Sequence, residues 1–381
     1  MASAKNNDIQ CLRAFAILLV LVQHTRARIP TPDIHARLFE HAAFWPGVDI
    51  FFAISGFLIC QTFLRDLNAS SSRRDAFKEF WIRRVARLLP AVIFWVAISV
   101  AVAAYTVSYS GADPIKVAAG GAMSILGLSN LWWVECVKAG RDVCGSADFN
   151  GVTWSLSLEW QLYAILTALI FFAGKRRAIG LLIIAAVLMS FLPAPSFSYP
   201  WAFRIQAFSL GAVTYCVLSR HPGELPKLPI NTMVSLILVA IGILICVIAP
   251  VKLHEPLVIP TIALGALLCL LGSLGERPFS QSRAFSPLIW IGERSYSIYL
   301  CHLPIILFVR ETMQRTLGLA NTPTNQAIAL LSVACLVALC ADLSYRYIEL
   351  PFQEWAKRKL AAGSLTLSPR PSNIERSSCP R

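Results

Sequence analysis

Apolar runs recur along the whole chain, separated by short polar stretches that hold most of the Lys and Arg. A run of about 17–25 apolar residues is long enough to cross a bilayer as a helix. On that measure the pattern predicts ten spans, near residues 9–25, 44–64, 80–105, 153–173, 178–193, 201–219, 231–250, 256–274, 287–309 and 326–348. The run 115–133, IKVAAGGAMSILGLSNLWW, has the length of an eleventh span. Its glycines and Asn130 favour a re-entrant or interfacial segment instead. The expected fold class is therefore all-α, a polytopic membrane protein of about ten transmembrane helices.

The polar stretches set the orientation. With the N-terminus in the cytoplasm, the inner loops hold Lys5, Arg65, Arg73, Arg74, Lys78 and the run Lys175-Arg176-Arg177, while the outer loops are poorer in cations. Ten spans with both termini cytoplasmic satisfy the positive-inside rule, and an eleventh would turn GKRR outward. No internal repeat is visible. The membrane-embedded domain is drawn at 1–356, followed at 357–381 by a basic tail rich in Ser and Pro, expected to be cytoplasmic and disordered. The first run is expected to stay as a signal anchor, because Arg13 interrupts its start and no small-residue cleavage site follows it.

Composition agrees with the pattern: 56% of the 381 residues are hydrophobic and only 14% are charged, against about 25% charged in soluble domains. The net charge of +13 then reads as the positive-inside bias, and no nucleic-acid partner is expected. Most of the eleven cysteines lie in apolar runs or near the chain ends, where they act as small hydrophobes. Cys136 and Cys144 differ. They share the polar loop VECVKAGRDVCGSADF and are expected to pair if that loop faces an oxidising compartment, and to stay reduced otherwise.

Ionisable groups inside a membrane are costly and mark function by default. In RAFAILLVLVQH, Arg13 and His24 are eleven residues apart, about 16 Å and three helical turns, so they share nearly one face. The topology sorts the others into two sets. Toward the cytoplasm lie Arg83, Arg84 and Arg87 in WIRRVARLLPA, with Arg294 and Glu349. Toward the outside lie Asp49, Glu159, Arg204 and His302. Ser55-Gly56 allows close backbone approach, and Ser295, Tyr299 and His302 fall on one helix face. Each has a plainer reading. The arginine cluster also suits a topology anchor on anionic lipid, and His302 also suits packing. Glu159 needs an Arg or His partner if buried, and Asp342 and Arg346 form an i, i+4 pair expected to be structural.

Taken in order, the motifs resemble the acyltransferase-3 family of bacterial integral-membrane acyltransferases. The resemblance rests on Arg13-X10-His24, VDIFFAISGFLI, Arg84-X-X-Arg87, WSLSLEWQLY, IGERSYSIYLCHLPI and YRYIELPF, and covers about residues 5–356. Two departures stand out. RIQAFSLG keeps Arg204 and Gly211 but has Ala207 where the family often has an acidic residue. The C-terminal esterase-like domain of many members is expected to be absent.

The resemblance implies an acyl-CoA co-substrate, with acetyl the commonest acyl group, and no permanently bound cofactor or metal. It implies a carbohydrate or glycolipid acceptor, such as a lipopolysaccharide, an exopolysaccharide or a lipid-linked sugar, and a place in the bacterial inner membrane. On this reading Arg13, Arg83, Arg84 and Arg87 bind the phosphates of CoA. His24 is the general base on the acceptor hydroxyl, oriented by Asp49 or Glu159. Ser55, Trp154, Ser155, Arg204, Tyr299 and His302 bind or position the acceptor. An acyl-His24 intermediate is the alternative route. The residues alone also admit a proton-coupled transporter, against which stands the lack of repeats and paired interrupted helices, and a non-catalytic component of polysaccharide export.

Overall fold

The computed structural model describes residues 6–140 and 143–365. They form α1 (Asn7–Thr25), α2 (Asp33–His41), α3 (Gly47–Ala69), α4 (Arg73–Tyr105), α5 (Pro114–Ile125), α6 (Ser129–Ala139), α7 (Ala147–Asn150), α8 (Thr153–Ala173), α9 (Lys175–Met189) and α10 (Tyr199–Ala202). There follow α11 (Gln206–Leu218), α12 (Thr232–Lys252), α13 (Val258–Gly272), α14 (Ser286–Glu293), α15 (Ser295–Thr316), α16 (Pro323–Ser344) and α17 (Leu350–Leu365). Among the described residues there is no strand, and an isolated parallel bridge joins Leu228 to Gly275.

The helix starts follow from local chemistry. The Asn6 side chain accepts from the backbone N–H of Asp8 and Ile9 at the head of α1, and Ser72 caps α4 in the same way. Asp113 followed by Pro114 opens α5, and Thr322 followed by Pro323 opens α16. In each pair an oxygen satisfies a free N–H and proline presets the first helical φ.

Seven helical stretches among the described residues are long and apolar enough to cross a membrane: α1, α3, α4, α8, α10 with α11, α12, and α16 with its continuation. The other three expected spans are shorter or interrupted. α9 and α13 have 15 residues each, about 22 Å of helix against a hydrocarbon core of about 30 Å. The run 287–309 breaks at Arg294 into α14 and α15. The segment 115–133 forms α5 and part of α6, both too short to span, with a turn at Gly127 (φ 70°) between them. The boundary drawn at 356 falls inside α17, so residues 357–365 are helical; the rest of the expected tail lies outside the described residues.

The distribution of side chains is that of a bilayer protein. Ile184, Leu188, Ile241, Leu244, Leu331 and Leu339 are exposed on α9, α12 and α16, while Asp49, Arg204, His302, Glu311 and Glu349 are buried. Within the bundle α3 lies directly on α11. A Cβ added to Gly56 would stand 2.0 Å from the Phe208 carbonyl oxygen, and one on Gly211 would stand 2.0 Å from that of Ala53. Small residues on both helices let the backbones touch. Cys136, near the end of α6, is bonded to Cys144, ahead of α7.

Candidate active site

The helix α1 carries Arg13 and His24 as its period requires, and α15 runs beside it. Arg13 Nε donates to Ser295 Oγ at 3.1 Å. Three turns on, His24 Nδ1 lies 3.1 Å from His302 Nε2 and 2.9 Å from the Val20 carbonyl oxygen. His302 is fully buried, and its Nδ1 lies 3.2 Å from the Ile298 carbonyl oxygen. A carbonyl only accepts, so the neutral tautomer of His302 that satisfies Ile298 has its proton on Nδ1 and a lone pair on Nε2. That lone pair accepts from His24 Nδ1–H, which also points toward Val20. Nε2 of His24 is then the bare nitrogen, free to take a proton.

Beside Arg13 lies a narrow cavity of about 100 Å³, lined by Arg13, Arg84, Arg87, Ser55, Glu159, Tyr163, Ser155 and Tyr299 among others. Two neighbouring clefts share its arginines: one is lined by Arg13, Arg87 and Glu349, the other by Arg84, Arg87, Thr62 and Lys357. Among the described residues Arg13, Arg84 and Arg87 make no ion pair. Arg87 Nε has no hydrogen-bond partner, and Arg84 rests over the rings of Phe80 and Tyr163 with Nη2 3.4 Å from Thr62 Oγ1. Three cations thus converge with donors to spare. Arg83, grouped with them by sequence, instead pairs with Asp66 at 2.5 Å and Glu79 at 3.5 Å. It lines only the second cleft.

Within the cavity Glu159 accepts from the hydroxyls of Ser55 and Tyr163, which lie 2.6 Å from each other. Ser155 Oγ lies 2.7 Å from the Tyr299 hydroxyl, and Tyr299 donates to the Val152 carbonyl at 2.7 Å. The Tyr299 ring, which lines the cavity, stands 5.8 Å from that of His302. The expected face of Ser295, Tyr299 and His302 is therefore the face that meets α1 and α8.

The two carboxylates expected to orient His24 have other partners in the structure. Asp49 is committed to Arg204 at 3.1 Å, both groups being at most 2% exposed. Arg204 is boxed by the rings of Trp45, Trp154 and Trp201, with its guanidinium carbon 4.9, 4.6 and 5.5 Å from their centres. The direct α3–α11 contact brings this pair together. Glu159 faces the cavity. The ring partner of His24 is His302.

Sequence reasoning missed Tyr163, although it lies one turn beyond Glu159 on the same face. It also missed a set at the far end of α1. Arg28 donates to the His24 carbonyl at 2.9 Å and pairs with Asp148, which also accepts from Tyr109. These three come from distant loops, and no spacing signals their meeting. Among the described residues no group of three or more His, Cys, Asp and Glu side chains is placed to hold a metal.

A family model described as an acyltransferase domain matches residues 6–343. The chain is 29% identical over 372 residues to the peptidoglycan O-acetyltransferase OatA of Listeria monocytogenes, covering 91% of this chain and 56% of that protein. It is 27% identical over 392 residues to a putative O-acetyltransferase of Staphylococcus aureus, covering 95% and 58%. It is 28% identical over 379 residues to the putative peptidoglycan O-acetyltransferase YrhL of Bacillus subtilis, covering 90% and 54%. The chain thus spans little more than half the length of the curated relatives it matches. No solved structure matches it.

Proposed function

This chain belongs to the integral-membrane acyltransferase family, and on that premise we propose that it moves an acetyl group from acetyl-CoA to a hydroxyl of a bacterial surface carbohydrate, with His24 as the general base. The observation that supports the reading is the cavity that Arg13, Arg84 and Arg87 share with Glu159, Tyr163 and Tyr299, whose ring stands 5.8 Å from that of His302. Arginine forks suit the phosphates of CoA. The length of α1 between Arg13 and His24, about 16 Å, suits the pantetheine arm, whose amides and hydroxyl need partners of the kind Ser55, Glu159 and Tyr163 offer. Arg13 then marks the cytoplasmic side of an inner-membrane protein and His24 the outer side.

In the reaction His24 Nε2 takes the proton of the acceptor hydroxyl as its oxygen attacks the thioester carbonyl. The C–S bond breaks, and the imidazolium returns the proton to the CoA thiolate. His302 holds the tautomer that leaves Nε2 open. Because two of the relatives are named for peptidoglycan, its glycan joins lipopolysaccharide, exopolysaccharide and lipid-linked sugars among the candidate acceptors. The test is transfer of radiolabelled acetate from acetyl-CoA to envelope glycans by membranes containing the protein. Transfer above control membranes, lost with His24→Ala, is expected; equal labelling with and without the protein would refute the reading.

A further inference from the structure

At the His24 end of α1, outside the arginine-lined cavity, lies a second pocket of about 580 Å³, within the ~300–1,000 Å³ of small-ligand sites. Arg28, Asp148, Trp133, Phe197, Ser110 and Ser146 contribute to its walls. Trp133 is 4% exposed, yet its indole Nε1–H has no hydrogen-bond partner, and the buried Nε–H of Arg28 has none either. A buried donor without a partner is costly unless something else satisfies it. Phe197 has φ 64°, a left-handed conformation that a bulky residue keeps only when its surroundings enforce it. There its ring packs on Trp201 at 4.9 Å.

We infer that this pocket holds the acceptor sugar. The inference rests on the acyl-transfer reading above and names where its second substrate sits. Aromatic walls take the C–H face of a pyranose, the Ser110 hydroxyl bonds its hydroxyls, and the Asp148 carboxylate accepts from one of them. The position fits as well. The Arg28 side chain bonds the His24 carbonyl at 2.9 Å. On the other side Phe197 stacks on Trp201, Trp201 stacks on Trp154 at 4.0 Å, and Trp154 adjoins Ser155 of the inner cavity. The pocket thus connects to the His24 end of α1 through Arg28. The acceptor roles drawn from sequence for Ser55 and Ser155 place those residues in the inner cavity instead.

The test blocks the pocket from outside. Ser110→Cys is treated on intact spheroplasts with a bulky membrane-impermeant maleimide, with identically treated wild type as control, and the base-labile acetate on the host's own envelope glycans is measured. Binding of CoA to the purified labelled protein is measured in parallel. Labelling should lower glycan acetate roughly tenfold or more, the equivalent of about 1.4 kcal/mol or above, and leave CoA binding unchanged. Trp133→Ala, which removes an aromatic wall of the pocket, should lower glycan acetate several-fold without labelling and leave CoA binding unchanged. Unchanged acetate after labelling, or an equal fall in CoA binding, would overturn the assignment. If unlabelled wild type adds no acetate to any glycan, the acyl-transfer reading fails, and the pocket assignment fails with it.

Discussion

His302 Nε2 lies 3.1 Å from His24 Nδ1, and the carbonyls of Val20 and Ile298 fix which nitrogen of each ring carries the proton. On the proposed mechanism the pair would take the place that a histidine–carboxylate pair holds in hydrolytic triads. His302 supplies an acceptor without adding a negative charge to the membrane interior.

The account therefore expects a specific pattern at position 302. His302→Gln keeps a carbonyl oxygen that can accept from His24 Nδ1–H, whereas His302→Leu keeps bulk and removes the acceptor. Turnover in the Leu variant should fall by roughly 10²-fold, on the scale of lost acid–base catalysis, and Gln should restore much of it at an unchanged KM for acetyl-CoA. Equal loss in both variants, with unchanged folding, would show that packing alone matters there.

The unpaired arginines give the second expectation. Arg84→Gln or Arg87→Gln should raise the KM for acetyl-CoA, since a hydrogen bond to a charged group contributes about 1.5–3 kcal/mol. Arg83→Gln should act mainly on stability through its pair with Asp66. Kinetics with a short thioester lacking the nucleotide separate the two roles. A short thioester should be insensitive to Arg84→Gln, and an equal loss with both donors would contradict phosphate binding.

Asp49 distinguishes structure from chemistry. Removing it leaves Arg204 buried and uncompensated, at a cost of about 3–5 kcal/mol. Asp49→Ala should lower the thermal midpoint in detergent sharply. The double variant Asp49→Leu with Arg204→Met should recover much of the loss. A stable Asp49→Ala protein without activity would instead return the carboxylate to the reaction.

The α3–α11 contact can be tested by one methyl group. Gly56→Ala places its Cβ 2.0 Å from a backbone oxygen, an overpacking expected to cost about 1–3 kcal/mol or more. Gly180→Ala on α9, where nothing lies within 4 Å, is the control and should be neutral or slightly stabilising. Equal thermal midpoints for the two variants would refute backbone contact.

Much of this was legible in the chain because it depends on local periodicity. The eleven-residue interval from Arg13 to His24, the face of Ser295, Tyr299 and His302, and the close approach at Gly56 all follow from helical spacing. The shared polar loop marked Cys136 and Cys144 as a possible pair, and the structure bonds them. What escaped was the choice of partners between distant segments. Asp49 and Glu159 were equal candidates for His24 by sequence, and only the folded chain gives Asp49, near the start of α3, to Arg204, just ahead of α11. The break at Arg294 falls in the polar stretch Glu293-Arg294-Ser295, which the expected span 287–309 runs across. Its guanidinium is held by Asp342, 48 residues further on, at 2.6 Å.

The most direct test of the central claim is single-turnover acetyl transfer by purified His24→Ala protein, alongside its affinity for CoA. The nucleotide contacts lie about 16 Å along the helix from His24. The account predicts wild-type CoA binding with transfer reduced below a hundredth, within the roughly 10²–10⁴-fold attributed to a general base. Retention of a tenth or more of the wild-type transfer rate would contradict the assignment of His24 as the base.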